Sequence, residues 1–427
     1  MNANAAPDKH SHNLVRYVRA LGPGLVTGAA DDDPSGVTTY AVAGAAFGTG
    51  MLWTAVVTLP LMAAIQLVCA RIGVLSGRGL AGAMRAHYPR WFLYAACALL
   101  LAANVFNIAA DLAGMADAAE MLTGVTSGLW VPIFGLVVLA ATVFTSYARF
   151  AFALKWLTAV LCAYVISAFL AHPDWSTALR DTLVPRLSLD AAYVSTLVGI
   201  LGTTISPYLF FWQASQEVEE ERALGRRTLR ERHGATAQEL RDVRHDVVTG
   251  MVFSNVVMYF IILAAAATLH RAGRVDITTT RQAAEALRPL AGDAAYLLFT
   301  LGLVGTGLLA IPILAGSASY AVAEVFGWRS GLDLPPRRAR RFYAVLGGSI
   351  VAGALLDSLG VSAVRMMFLS AVVNGLLAAP LLVLVMLVGN NRTIMGRHVN
   401  DRWLNGLGWT ATAVMAVATL LFFWTSL

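Results

Sequence analysis

The chain of 427 residues is 58% hydrophobic and 13% charged. Its mean hydropathy of +0.66 excludes an ordinary soluble domain and points to a polytopic membrane protein. The net charge of +6 does not indicate nucleic acid, because the basic residues sit mostly in short loops between apolar runs, where membrane topology explains them.

In chain order, residues 1–20 form a polar tail. It lacks the uninterrupted apolar core and cleavage site of a signal peptide and reads as a retained tail. Taking roughly 20 apolar residues as one span, eleven runs follow, centred near residues 35, 60, 105, 137, 161, 202, 258, 305, 350, 376 and 416. The first is interrupted by "GAADDDPSGVTT", which puts Asp31, Asp32, Asp33 and Pro34 inside an apolar run. The sixth is interrupted at Pro207 within "GTTISPYLFFWQ". Between spans six and seven lies "QEVEEERALGRRTLRERHGATAQELRDVRHD", whose residues 217–246 read as a solvated helical connection. Two repeats of five helices are expected, 21–171 and 188–388, with an eleventh helix at 403–427 outside them. Cys69, Cys97 and Cys162 lie in apolar runs without zinc-site spacing and read as small buried residues.

With the N-terminus inside, 24 of the 31 basic residues fall on the cytoplasmic side and 7 on the other. The excess of positive charge inside sets the orientation as N-terminus cytoplasmic and C-terminus outside, in a bacterial-type inner or plasma membrane. Paired interruptions at corresponding positions of two halves point to a secondary transporter with inverted repeats and a midplane site. Pro34 and Pro207 remove backbone donors and unwind both spans, and non-helical backbone at that depth must be buried in protein or line a cavity. Three intramembrane carboxylates are costly and mark an ion or substrate pathway. A bound cation resolves the difficulty. The alternative, hydrated acids at a membrane surface, conflicts with the membrane-like "LGPGLVTGAA" before and "VTTYAVAGAAFGTGMLW" after.

These residues resemble the natural resistance-associated macrophage protein (Nramp) family of divalent metal transporters. The similarity is densest in "GPGLVTGAADDDPSG", "AGAAFGTGMLW", "ARIGVLSGRGLAGAMRAHYP" and "IAADLAG". It implies an all-α membrane protein of about 11 transmembrane helices with the LeuT-type 5+5 inverted repeat of sodium-coupled amino-acid transporters. Helices 1 and 6 would be discontinuous, with alternating access around a central metal site. The expected partners are the carried divalent ion and the lipid bilayer, with no cofactor and no enzymatic activity; the sequence does not set the oligomeric state, for which a monomer is the expectation. The family's first-span motif reads Asp-Pro-Gly-Asn, with its Asp and Asn on the metal; here Asp33 is kept and the Asn position is Gly36. The family's Met-Pro-His in span six aligns with "SPY", so Ser206 replaces the thioether and Tyr208 the histidine. A further family histidine falls at Gln213, and a span-ten glutamine falls at or near Ala371, one turn before Asn374. Asp111 matches an acid of the family's proton route, whereas two neighbouring acids become Asn104 and Gly114.

Thioether ligands favour soft transition metals, while oxygen ligands suit magnesium, manganese and calcium. Ser206, with Asp31 and Asp32 added, shifts the expected site towards hard oxygen coordination, and magnesium keeps several waters beside one or two carboxylates. The expected cargo is therefore Mg2+, as in the Nramp-related magnesium branch, or Mn2+. Asp33 is expected to bind it, directly or through a water. Carbonyls near Asp31 and Thr203 and the Ser206 hydroxyl are expected to complete the inner shell or the one beyond it, and Asp31 and Asp32 either to attract cations or to stay protonated. Asn104, Asn107, Gln213 and Asn374 read equally well as polar lining or as interhelical hydrogen bonds. With Asn104 and Gly114 on the helix of Asp111, the proton relay is incomplete, and uncoupled, potential-driven import is expected. A proton-coupled Mn2+/Fe2+ transporter, an organic-solute transporter of the same fold and a membrane-embedded Mg-dependent enzyme remain rivals. The second break offers no carboxylate for the enzyme, and acids at the first oppose an anionic solute.

Overall fold

Apolar segments in lipid must satisfy their backbone groups internally, which dictates helices, and the described residues form helices with no strand among them. The computed structural model describes residues 22–144 and 159–426. The expected tail at 1–20, with Lys9, Arg16 and Arg19, and the basic residues Arg149 and Lys155 lie outside the described residues.

The first span is α1 (Pro23–Asp31) followed by α2 (Pro34–Phe47). Then come α3 (Trp53–Ser76), the short α4 (Leu80–His87), α5 (Arg90–Thr123), α6 (Ser127–Phe144) and α7 (Cys162–Leu170). The sixth span is α8 (Ala191–Thr204) followed by α9 (Pro207–Ala223). After it run α10 (Ala237–Ala265), α11 (Ala295–Phe326), α12 (Arg340–Asp357), α13 (Ala363–Gly389) and α14 (Arg402–Ser426). Among the described residues, eight helical segments are long and apolar enough to cross a membrane. The other expected spans are the divided first, the fifth, which lies partly outside the described residues, and α12, which carries Arg340, Arg341 and Asp357 at its ends.

α5 packs against α11, α12 and α13, while α10 lies along α1, α2 and α3. α8 rests on α13, and α9 on α3 and α11. Glycines set the closest of these approaches. A Cβ on Gly28 would lie 2.2 Å from the Gly250 carbonyl oxygen, and one on Gly250 would lie 2.1 Å from that of Gly24, so α1 and α10 touch backbone to backbone.

Proline alone does not make the breaks. Pro60, Pro132, Pro312 and Pro380 all sit inside continuous helices. At the two breaks the residue before the proline is extended, Asp33 at φ −68°, ψ 171° and Ser206 at φ −79°, ψ 127°. That is the conformation a following proline favours, and it makes Pro34 and Pro207 the first residues of new helices.

Two expectations are corrected. The stretch 217–246 is not a solvated connection throughout: α9 carries span six on to Ala223, and Glu217, Glu221 and Asp246 are buried. Glu217 and Asp246 find hydrogen-bond partners inside the bundle. Gln213 donates to Glu217 at 2.8 Å, and the N–H groups of Gly22, Gly24 and Leu25 at the start of α1 donate to Asp246, as a helix N-terminus favours. Cys69 and Cys97 are buried as expected, but Cys162 at the start of α7 is exposed. A spanning helix is apolar all round, so an apolar run does not distinguish a packed face from a lipid face.

Candidate functional site

The first break is held by its own side chains. Asp33 caps α2, its Oδ1 accepting the Gly36 N–H at 2.7 Å, as N-terminal acids do. Its Oδ2 is left for Asn107 Nδ2 of α5 at 3.4 Å and the Tyr208 hydroxyl of α9 at 3.3 Å. The Tyr208 hydroxyl also donates to the Ala30 carbonyl at 2.9 Å, so the second break reaches across and satisfies a carbonyl freed at the end of α1. At Gly36 a Cβ would stand 3.1 Å from the Asp31 carbonyl oxygen and 3.3 Å from Asp33 Oδ1. The glycine keeps the space beside the carboxylate open.

Asp31 and Asp32 face Ser254 of α10. Its hydroxyl lies 2.6 Å from Asp31 Oδ2 and 3.4 Å from Asp32 Oδ1, while Asp31 Oδ1 and Asp32 Oδ2 are buried and accept no hydrogen bond. Asp111 of α5 accepts from the Ser35 hydroxyl at 3.0 Å, and its Oδ2 is likewise unpartnered. Ser370 of α13 bridges Ser35 and Asn107. Asp111 and Asp33 therefore stand at the two ends of one polar chain.

All four carboxylates are at most 3% exposed. None forms an ion pair with a basic side chain among the described residues. Buried carboxylates without compensation are strongly unfavourable, so this cluster is suited to a positively charged guest. Among the described residues no three His, Cys, Asp or Glu side chains converge to hold one metal ion. A guest here meets few carboxylates at once, together with neutral oxygens and water.

The other expected residues are more dispersed. Ser206 Oγ bonds back to the Gly202 and Thr203 carbonyls at 2.8 and 2.6 Å, and Thr203 Oγ1 donates to Ile200. Both hydroxyls thus satisfy the end of their own helix. Gln213 accepts from Thr27 of α1 at 2.6 Å and donates to Glu217, tying α1 to α9. Asn104 donates to the Leu314 carbonyl of α11 at 2.8 Å, an interhelical bond. Asn374 is buried on α13 and takes no part in the network. Gly114 is backed by Met367, whose sulfur lies 2.4 Å from where a Cβ would stand.

Ser35, Ser254 and Ser370 belong to the site and were not singled out by sequence. Ser35 carried a signal, its place directly after Pro34; Ser254 carried a weaker one as half of a Ser-Asn pair within an apolar run.

A family model described as natural resistance-associated macrophage protein-like matches residues 24–425. The chain is 28% identical over 427 aligned residues to a divalent metal cation transporter, MntH, of Klebsiella pneumoniae, covering 96% of this chain and 95% of that one. It is 28% identical to MntH of Pectobacterium carotovorum over 405 aligned residues, covering 91% of this chain and 90% of the relative. Among solved structures, the Eremococcus coleocola manganese transporter, crystallised with an aromatic bis-isothiourea substituted compound, superposes with a TM-score of 0.76 at 19% identity, covering 97% of this chain and 88% of that one. Mhp1, a nucleobase-cation-symport-1 family transporter, shares the fold at a TM-score of 0.55 and 14% identity, covering 95% of this chain and 93% of that one.

Proposed function

Because the chain belongs to the natural resistance-associated macrophage protein (Nramp) family, we propose that it is a multi-pass membrane transporter that imports a divalent metal cation, Mg2+ or Mn2+, by alternating access between its two broken spans. The observation that carries this reading is the buried carboxylate group at the first break. Asp33 is cradled by Asn107 and Tyr208, and unpartnered oxygens of Asp31, Asp32 and Asp111 lie buried around it. Asp33 holds the ion, directly or through a water, with Tyr208 and Asn107 positioning it. Asp31 and Asp32 lower the potential of the gap for any cation.

The oxygens gathered at the first break, from Asp31, Asp32, Asp33 and Tyr208, support a hard ion. Ser206 stands where the family has a thioether, and a hydroxyl cannot select a soft metal. Magnesium, retaining water and touching one or two carboxylates, fits a site in which few acids converge. Manganese is the rival ion, and the relatives' names favour it.

Import proceeds without proton coupling. The space beside Gly114 is filled by the Met367 thioether, which neither takes up nor gives a proton, so Asp111 has no acid there to hand protons to. Two charges moving inward down a membrane potential gain roughly 4.6 kcal/mol per 100 mV, enough to drive accumulation. The excess of basic residues in the loops at one end supports an N-terminus inside and a C-terminus outside.

The deciding experiment is uptake of Mg2+, Mn2+, Ca2+ and Cd2+ into proteoliposomes with internal pH recorded. Uptake of Mg2+ or Mn2+ without acidification is expected, together with its loss in Asp33→Ala. Acidification that scales with metal entry would reject uncoupled import, and transport retained by Asp33→Ala would remove Asp33 from the site.

A further inference from the structure

At the end of the bundle that carries the basic loops, α9 and α10 face each other across a cavity of about 200 Å3. Glu217, Glu220 and Glu221 line it from α9, and Glu239, Asp242 and Asp246 from α10. Spacings of three, four and seven residues put each set on one helical face. Two acidic stripes therefore look at one another, with Arg226 the one basic residue in the lining among the described residues. Like charges so placed repel and destabilise the helix pair unless a cation lies between them.

The state of Glu221 points the same way. It is 4% exposed and lines the cavity. Neither of its carboxylate oxygens accepts a hydrogen bond, and its ion pair with Arg226 spans 3.5 Å. Arg226 is shared with Glu239 and cannot neutralise six acids.

We propose that this cavity is a second divalent-cation site, separate from the one at the broken helices, holding a hydrated ion between α9 and α10. No three acids converge closely enough for direct coordination among the described residues. The volume instead suits an ion with most of its hydration shell, at ~30 Å3 per water. The choice of a divalent ion rests on the transport reading above, and the orientation proposed there puts this site at the cytoplasmic mouth. Occupancy is felt at the first span, because two of the cavity acids are tied to α1: Asp246 caps it through Gly22, Gly24 and Leu25, and Glu217 connects through Gln213 to Thr27. An ion that draws on these carboxylates loosens their hold on α1. The site thereby reports the ion level at this mouth to the broken helix.

The test counts Mn2+ bound to the full chain in lipid nanodiscs by equilibrium dialysis and electron paramagnetic resonance. Asp33→Asn is compared with the same protein also carrying Glu217→Gln and Glu221→Gln. In the Asp33→Asn background the central site is already disabled, so loss of a remaining Mn2+ on adding the two glutamines supports the cavity. An unchanged count overturns it. The comparison of wild type with Asp33→Asn speaks to the central site alone, which keeps the two failures apart. Arg226→Gln removes a competing cation and is expected to tighten Mn2+ binding about tenfold, a gain no misfolded protein can mimic. Unaltered affinity in that variant also counts against the site.

Discussion

The break at Asp33 and the break at Ser206 share one backbone device, a proline at the first helical position behind an extended residue. Their side chains do opposite things. Around the first lie Asp31, Asp32 and Asp33, with buried oxygens left unpartnered. At the second, Ser206 turns back onto the Gly202 and Thr203 carbonyls, and Tyr208 crosses to the other break. The backbone device opens a gap, and the residues on either side of it decide where charge resides. On the proposed reading one span holds the ion, and the other supplies neutral donors and a tether. This asymmetry can be broken experimentally from either side.

The largest effect is expected from Asp33→Asn, which keeps a side-chain acceptor for the Gly36 N–H but removes the charge. Mg2+ or Mn2+ uptake should fall by at least about a hundredfold, the scale of losing a buried charged contact, with the melting temperature held. A protein that no longer folds would make Asp33 a structural cap and not an ion ligand. Tyr208→Phe removes the hydroxyl that joins Asp33 to the second break and leaves the Ala30 carbonyl without this donor. It should weaken apparent ion affinity about tenfold and lower stability by ~1–3 kcal/mol, read from uptake kinetics and thermal melts. Full affinity in the phenylalanine variant would show that the two spans work independently.

Smaller changes sharpen the contrast. Ser206→Met restores a soft atom to the uncharged side and should improve Cd2+ competition against Mg2+ several-fold in a binding assay; identical selectivity would mean that this position faces away from the ion. Ser254→Ala removes the shared donor of Asp31 and Asp32. A stability loss of about 1 kcal/mol is expected, with ion selectivity unchanged. A change in selectivity would place Asp31 or Asp32 directly on the ion.

The breaks were legible in the sequence because proline and acids are rare inside apolar runs, so "DDDPSG" and "TTISPY" stand out against their surroundings. The family resemblance placed Asp33 and Tyr208, which meet at 3.3 Å. The serines were not legible. Within spans a hydroxyl commonly bonds the carbonyl a turn earlier, as Thr39, Ser319 and Ser349 do here, so nothing in the residue type marks Ser254 or Ser370 as facing a carboxylate. Gln213 was read as open to lining and bonding alike, since spacing gives its distance from Pro207 but not what stands opposite; Thr27 and Glu217 do. The charged stretch 217–246 misled for a related reason. Charge suggests water, yet Asp246 is buried where the free N–H groups of α1 need an acceptor.

The glycine seam between α1 and α10 has a mechanical consequence. With Gly24, Gly28 and Gly250 in contact, the middle of the seam is a bearing of bare backbone, and a swivel of the half-helix against α10 has to release the side-chain ties at its ends, Asp246 on Gly22, Gly24 and Leu25 and Ser254 on Asp31. Spin labels on the two helices would then give a broad spread of separations at constant helix content, whereas one narrow peak would mean the bearing is seized.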